Sequence, residues 1–323
     1  MKLALINCYY GKMPIYFNLW LQSCSKNAGI DFFLVTDATI SGTIPNNVKV
    51  IAMSWEELIT LFQSKFDFPI TIESAYKLTD FKPAYGYVFQ DFLAEYDYWG
   101  YCDLDLIFGN VLRFIGKPME DGTEKIYRWG HLTLLKNTDR MNQLFRQKGG
   151  VFSYREVFSR PEFFSFDEHS GLMLIAKKQE IQQYYQEDMA DISCRIRRMT
   201  ASRCRNYPFQ IFYYEDGAVF RAYIENERVQ TEEFSYIHLQ KRKYVNSCLN
   251  NCFFILADHF EEKEPGIPSN ETIRRLSGFI SEEADRRQLI SFRNKKIKEF
   301  FDRSWSERWI WIKIKAAERK VLI

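Results

Sequence analysis

Two aspartates one residue apart, Asp103 and Asp105, close the aromatic and apolar run Tyr98–Cys102. That run reads as a buried strand, and unpaired charges are not left in a core. Two carboxylates at its C-terminal edge therefore call for a positive partner. Carboxylate oxygens suit a hard divalent cation, Mn2+ or Mg2+, and such a cation suits a diphosphate. The same letters also cap turns, and an isolated D-x-D does not separate the two uses.

Three further polar concentrations carry chemistry. In 77–83, Lys77 and Lys82 flank Asp80 just before a helical stretch. They supply cations and a hydroxyl-binding carboxylate beside a diphosphate sugar, or else form an exposed salt-bridged turn. Residues 163–171 end in Asp167, Glu168 and His169, which read as a site wall or as an N-cap cluster for the helix from Leu172. Residues 235–243 hold His238, Lys241 and Arg242. A neutral imidazole nitrogen can complete a metal shell begun by two carboxylates, and the cations can take up charge on a departing nucleoside diphosphate. His131, beside Gly130, faces an acceptor or serves as a core or turn histidine. The four histidines are not spaced to complete a zinc site with the cysteine pairs.

These groups need a frame. Residues 2–9, 30–37 and 48–53 are apolar runs, and 15–28 between the first two has helical spacing, so strand, helix and strand predict a mostly parallel α/β sheet flanked by helices. Ligands bind beyond the carboxyl ends of such strands. Tyr9, Gly11 and Asp37 lie there and are candidates for the pocket of a base and ribose. No G-x-G-x-x-G follows the first strand and no phosphate loop with lysine exists, against dinucleotide dehydrogenases and P-loop ATPases. Ser54 and Glu57 form a capping box for a helix over 55–66. Residues 209–224 read as a hairpin around Glu215-Asp216-Gly217, and the arginine run 195–205 before it as a phosphate contact or a solvated face. The polar linker 261–270 divides a domain, 1–260, from a helical extension, 271–323, whose first helix spans about 271–290.

The 323 residues allow one large core, and a net charge of +2 is too small an excess for a nucleic-acid binder. No secretory signal and no bilayer-spanning run is visible, and seven cysteines without dense spacing read as reduced thiols, all pointing to the cytoplasm. Residues 292–323 carry ten Lys/Arg against four Asp/Glu, interleaved with Phe, Trp and Ile. That pattern fits an interfacial segment on an anionic bilayer, here the cytoplasmic face of an inner membrane, or a helix docked on the domain or a partner.

In order, N-C-Y-Y-G-K-M-P at 7–14, K-L-T-D-F-K-P-A-Y-G at 77–86, Y-W-G-Y-C-D-L-D-L-I-F-G at 98–109, F-D-E-H-S-G at 166–171 and H-L-Q-K-R at 238–242 resemble metal-dependent sugar-nucleotide glycosyltransferases of the GT-A type. More closely, the chain resembles a bacterial, polysaccharide-associated, uncharacterised glycosyltransferase-like family, over roughly residues 1–260. The resemblance implies a GT-A type fold and a metal held by Asp103, Asp105 and His238, with Lys241 nearby. It makes Asp80 similar to a donor-touching carboxylate of an S-D-x-x-R element, although Thr79 and Pro83 replace its Ser and Arg and Lys82 would supply the charge. Asp167 and Glu168 resemble the start of a D-Q-D element, with Glu168 for Gln and His169 for the last Asp. The implied reaction transfers a hexose from a nucleoside diphosphate sugar to a glycan hydroxyl, with Lys241 easing departure and Asp167 or Glu168 as base if configuration inverts. Late-histidine families retain it. Two rivals stand beside it: a nucleotidyltransferase or pyrophosphatase acting on sugar nucleotides, and a non-catalytic glycan- or membrane-associated scaffold.

Overall fold

The computed structural model describes residues 1–248 and 250–321, so the last two residues of the 292–323 tail lie outside the described residues. The fold is a mixed α/β arrangement of three sheets with a C-terminal helical region. Among the described residues fifteen strands follow one another: Leu3–Cys8 (β1), Ile30–Thr36 (β2), Val48–Ala52 (β3), Tyr98–Cys102 (β4), Leu106–Phe108 (β5), Lys125–Trp129 (β6), Leu132–Lys136 (β7), Gln183–Tyr184 (β8), Ala190–Asp191 (β9), Gln210–Glu215 (β10), Ala218–Glu225 (β11), Arg228–Phe234 (β12), Tyr236–His238 (β13), Cys252–Ile255 (β14) and Phe260–Glu262 (β15).

The largest sheet has the order β3-β2-β1-β4-β7-β6-β8. β3, β2, β1 and β4 pair in parallel, and the hairpin β6–β7 runs antiparallel beside β4. β1, β2 and β4 are buried along most of their length because both faces are covered, whereas the edge strand β3 is half exposed and carries Lys49. Successive side chains alternate between faces. Ala4, Ile6, Phe33, Trp99 and Tyr101 pack with Leu58 and Phe62 of the helix Trp55–Ser64, whose capping box is formed. Leu3, Leu5, Phe32 and Tyr98 pack on the other side with Trp20 and Ile115. Gly86 permits the close approach beneath β4: a Cβ there would stand 2.2 Å from the Trp99 ring.

A second sheet, β12-β11-β10-β14-β15, contains the expected hairpin, turned through Asp216 and Gly217 at positive φ. A small third sheet, β5-β13-β9, carries the site.

Three local expectations are corrected. Residues 75–92 form a series of short helical turns rather than a turn and one helix, with Pro83 early in one of them, where its missing N–H costs least. The expected linker begins inside β15, and Lys263 is buried against Glu215 at 2.6 Å. The helix expected over 271–290 is two, Asn270–Leu276 and Glu282–Phe301: Gly278 turns the chain at φ +64 and Ser281 caps the next start. A last helix spans Trp305–Val321. Among the described residues no helix is long and apolar enough to cross a membrane, and all seven cysteines are free thiols.

Candidate metal centre and cleft

Register in the small sheet assembles the centre. β13 pairs with β5 so that His238 stands opposite Leu106, next to Asp105, and pairs with β9 so that His238 stands opposite Asp191. The Leu239 amide donates to the Asp105 carbonyl at 2.9 Å and the Asp103 amide to the His131 carbonyl at 2.9 Å, which fixes both aspartates at the sheet junction. Ligand atoms of Asp103, Asp105 and His238 lie within 4.8 Å of one another, and so do those of His131, Asp191 and His238. These buried or half-buried His/Asp clusters can hold a metal ion.

The imidazole of His238 is oriented from behind. Its Nδ1 lies 2.8 Å from Asp191 Oδ1 and its Nε2 3.4 Å from Asp105 Oδ1. Asp191 is itself fixed by Gln240 Nε2 at 2.7 Å and by Arg203 at 3.1 Å. Burial pushes the His238 pKa down, but Asp105 and Asp191 outweigh it and lift it to about 10. Burial likewise raises the Asp191 carboxyl, and the His238 hydrogen bond with the nearby ring charges overcomes it and holds the group below the usual carboxylate range. A proton thus sits between two carboxylates, where a divalent cation can replace it on the Nε2 side while Asp191 keeps Nδ1. The set of two carboxylates and one imidazole offers oxygen donors that suit hard cations and a nitrogen donor that suits borderline ones.

Asp103 and Asp105 face a cleft of about 380 Å³ whose walls include Tyr9, Tyr16, Tyr76, Thr79 and Lys82. Lys82 is buried and bonds Asp103 Oδ1 at 2.5 Å and the Gly130 carbonyl at 2.8 Å, with Asp167 Oδ2 at 3.9 Å. Burial disfavours its charge, yet Asp103 and Asp167 prevail and raise its pKa, so it is a fixed cation. Gly130 completes this knot by donating its amide to Glu168 Oε1 at 2.6 Å; a Cβ here would fall 2.1 Å from Asp167 Oδ2. Cys8 and Cys102 also line the cleft, but burial lifts both thiols, Cys8 to about 12, so neither is a nucleophile.

The other candidates divide. Lys77 and Asp80 form the expected pair, at 2.9 Å, but buried rather than exposed, and neither lines the cleft. Asp80 also accepts from the amides of Phe164 and Phe166 at 2.9 Å each, so it shapes the chain leading to Asp167. The N-cap reading of 167–169 is not realised, since Gly171 stands at the N-cap of Leu172–Lys178 without a side-chain bond. Instead Asp167 is buried with Oδ1 unpartnered among the described residues. His169 lies edge-on to Trp129 at 5.5 Å. His131 is buried, with burial followed by the His238 charge holding its pKa well below the ordinary value, and lies 4.3 Å from the His238 ring; its Nδ1 meets the Tyr236 hydroxyl at 3.2 Å. Tyr9 lines the cleft, whereas Gly11 and Asp37 are exposed and outside its walls, Gly11 at φ +135. Lys241 is exposed, with its Nζ 5.8 Å from the Tyr76 ring at the cleft. Of the arginine run, Arg203 reaches Asp191 and Arg198 reaches Asp285 at 2.7 Å.

Asp191 is the residue that motif reading missed. Its signal is an acid between Ala190 and Ile192, both buried, which repeats the apolar–acid–apolar pattern of 102–106. Asn7 is a second: its Nδ2 donates to the Cys102 carbonyl at 2.6 Å in the cleft wall beside Asp103.

The chain belongs to DUF6625, a family of unknown function whose pattern matches residues 5–264, from β1 to just past β15. No curated protein matches the chain.

Proposed function

We propose that this protein transfers a hexose from a nucleoside diphosphate sugar to a hydroxyl of a glycan or lipid-linked glycan, with a divalent cation in attendance, on a GT-A type frame. The observation that carries the reading is the convergence of Asp103, Asp105 and His238, the two aspartates lining a cleft at the carboxyl ends of β1 and β4. Those ends are where the order β3-β2-β1-β4 reverses direction, the crevice in which open α/β sheets bind nucleotides. The cleft volume of about 380 Å³ falls in the range of small-molecule sites.

Asp103, Asp105 and His238 Nε2 would hold the cation, which when bound supplies Lewis-acid neutralisation of a diphosphate. Asp191 keeps the imidazole in register through Nδ1. Lys82 brings a permanent positive charge to the same wall, where it counts more than in water as negative charge develops on the leaving group. Lys241 stands at the rim beside Tyr76 and adds a second cation to the departing group. Burial lifts the Asp167 carboxyl well above the usual carboxylate range against the pull of Lys82. The late histidine, His238, favours retention, which needs no strong base and leaves Asp167 and Glu168 to orient sugar or acceptor.

The test is incubation with a panel of sugar nucleotides, with and without Mn2+, following nucleoside diphosphate release. Release should need the metal and be abolished in Asp103→Ala and in Asp105→Ala. Full activity in both variants would sink the reading. Equal release without an acceptor would favour pyrophosphatase chemistry.

A further inference from the structure

Trp305 is 85 % exposed, at the corner between the helices Glu282–Phe301 and Trp305–Val321. Phe301, before the corner, is 62 % exposed, and Ile312, two helical turns after Trp305 on the same face, is 54 % exposed. An apolar cluster of this kind on a soluble face marks an interaction site when it is held in place.

It is held in place. Ser304 caps the last helix: its Oγ accepts from the Glu307 amide at 3.3 Å, and its amide donates to the Glu307 carboxylate at 2.8 Å. Arg308 donates to the Phe301 carbonyl and lies over the Trp305 and Phe301 rings at 5.6 and 5.9 Å. The opposite face of the helix is already spent. Ile310 and Ala317 are buried there, and Arg160 donates to Ser306 at 2.6 Å. The helix therefore docks on the domain and cannot also turn Trp305 inward.

The surroundings indicate what covers the corner. The 292–323 segment that holds the corner is basic, with ten Lys/Arg and four Asp/Glu, and Arg303 and Arg308 stand at the corner itself beside Asp302 and Glu307, with Lys313 further along the helix. Indole rings sit well at the headgroup level of a bilayer, and adjacent lysines and arginines draw in anionic lipid. We propose that this corner is the surface by which the protein lies on an anionic lipid bilayer. The docked helix adjoins 152–166, the segment that runs into Asp167, whose carboxylate stands 3.9 Å from Lys82 of the cleft wall, so the bilayer lies toward that side of the cleft. Resting on the transferase reading, the acceptor is then one carried by a lipid.

Sedimentation of the full chain with vesicles tests the surface. Vesicles of phosphatidylcholine and phosphatidylglycerol in equal parts should bind it, and phosphatidylcholine alone should not. Added salt should weaken binding. The double variant Phe301→Ala/Trp305→Ala should lose on the order of tenfold in partitioning, with its thermal midpoint unchanged because both side chains are exposed. Wild-type partitioning in the double variant would overturn the proposal. So would a wild-type dimer in light scattering that the double variant abolishes, since the occupant would then be a second copy. Vesicle binding requires neither donor nor metal. Binding without nucleoside diphosphate release would overturn the transferase reading alone, and release without binding would overturn the membrane surface alone.

Discussion

Asp80 and Asp105 are each followed in the sequence by a large apolar residue, Phe81 and Leu106, and the fold surrounds them differently. Asp80 is fully buried, and its two oxygens take the Lys77 ammonium and the amides of Phe164 and Phe166. Nothing is left with which to bind a ligand. Asp105 opens to the cleft, with the part-buried ring of His238 at 3.4 Å. The first carboxylate organises a loop and the second offers lone pairs. What separates them is how many of their lone pairs the protein has already used, a property that letters do not carry.

Substitution should pull the two roles apart. Asp80→Ala leaves Lys77 buried without its partner, and urea denaturation should show a loss of about 3–5 kcal/mol. A loss under about 1 kcal/mol would mean that the pair is not holding the loop. Asp191→Asn should weaken Mn2+ binding about 10–100-fold in calorimetry while leaving the ligands present, because it loosens the ring and not the shell. Unchanged affinity would remove Asp191 from the centre. Asp105→Asn, in contrast with Asp80, should shift the metal-free denaturation midpoint by no more than about 1 kcal/mol. The smallest effect belongs to Glu162. Arg160, followed by the Ser306 hydroxyl, outweighs burial and holds its carboxyl down at about 2, against an ordinary value of 4.5. A depressed carboxyl stabilises fully above its unfolded value, so the clasp between Glu162 and the last helix should persist above pH 4.5 and be lost as pH falls toward 2. Tryptophan fluorescence of Glu162→Gln, lacking this acid step, would check it.

Much of the frame was legible. Apolar runs such as β1 and β2 announce strands buried on both faces, and Ser54 with Glu57 announces a helix start. Asp103, Asp105 and His238 could be grouped because each sits at the edge of an apolar stretch. Asp191 escaped because β9 has two residues, too few to show a period, and its neighbour in space arrives only through β13. The role of Lys82 in tying Asp103, Gly130 and Asp167 depends on three separate segments meeting, and no local pattern encodes that. The tail was read as either docked or interfacial, while the helix divides its faces between the core and solvent.

The central strand of the small sheet is the last of its three to be made. Residues 1–235 already contain both cleft aspartates, His131 and Asp191, and lack only the histidine that joins them. β13 slots between β5 and β9 once nearly the whole domain exists. On a growing chain the cleft is therefore silent until late, and a cation that then enters acts as a clasp on the finished topology, favouring the folded form in proportion to the logarithm of its concentration.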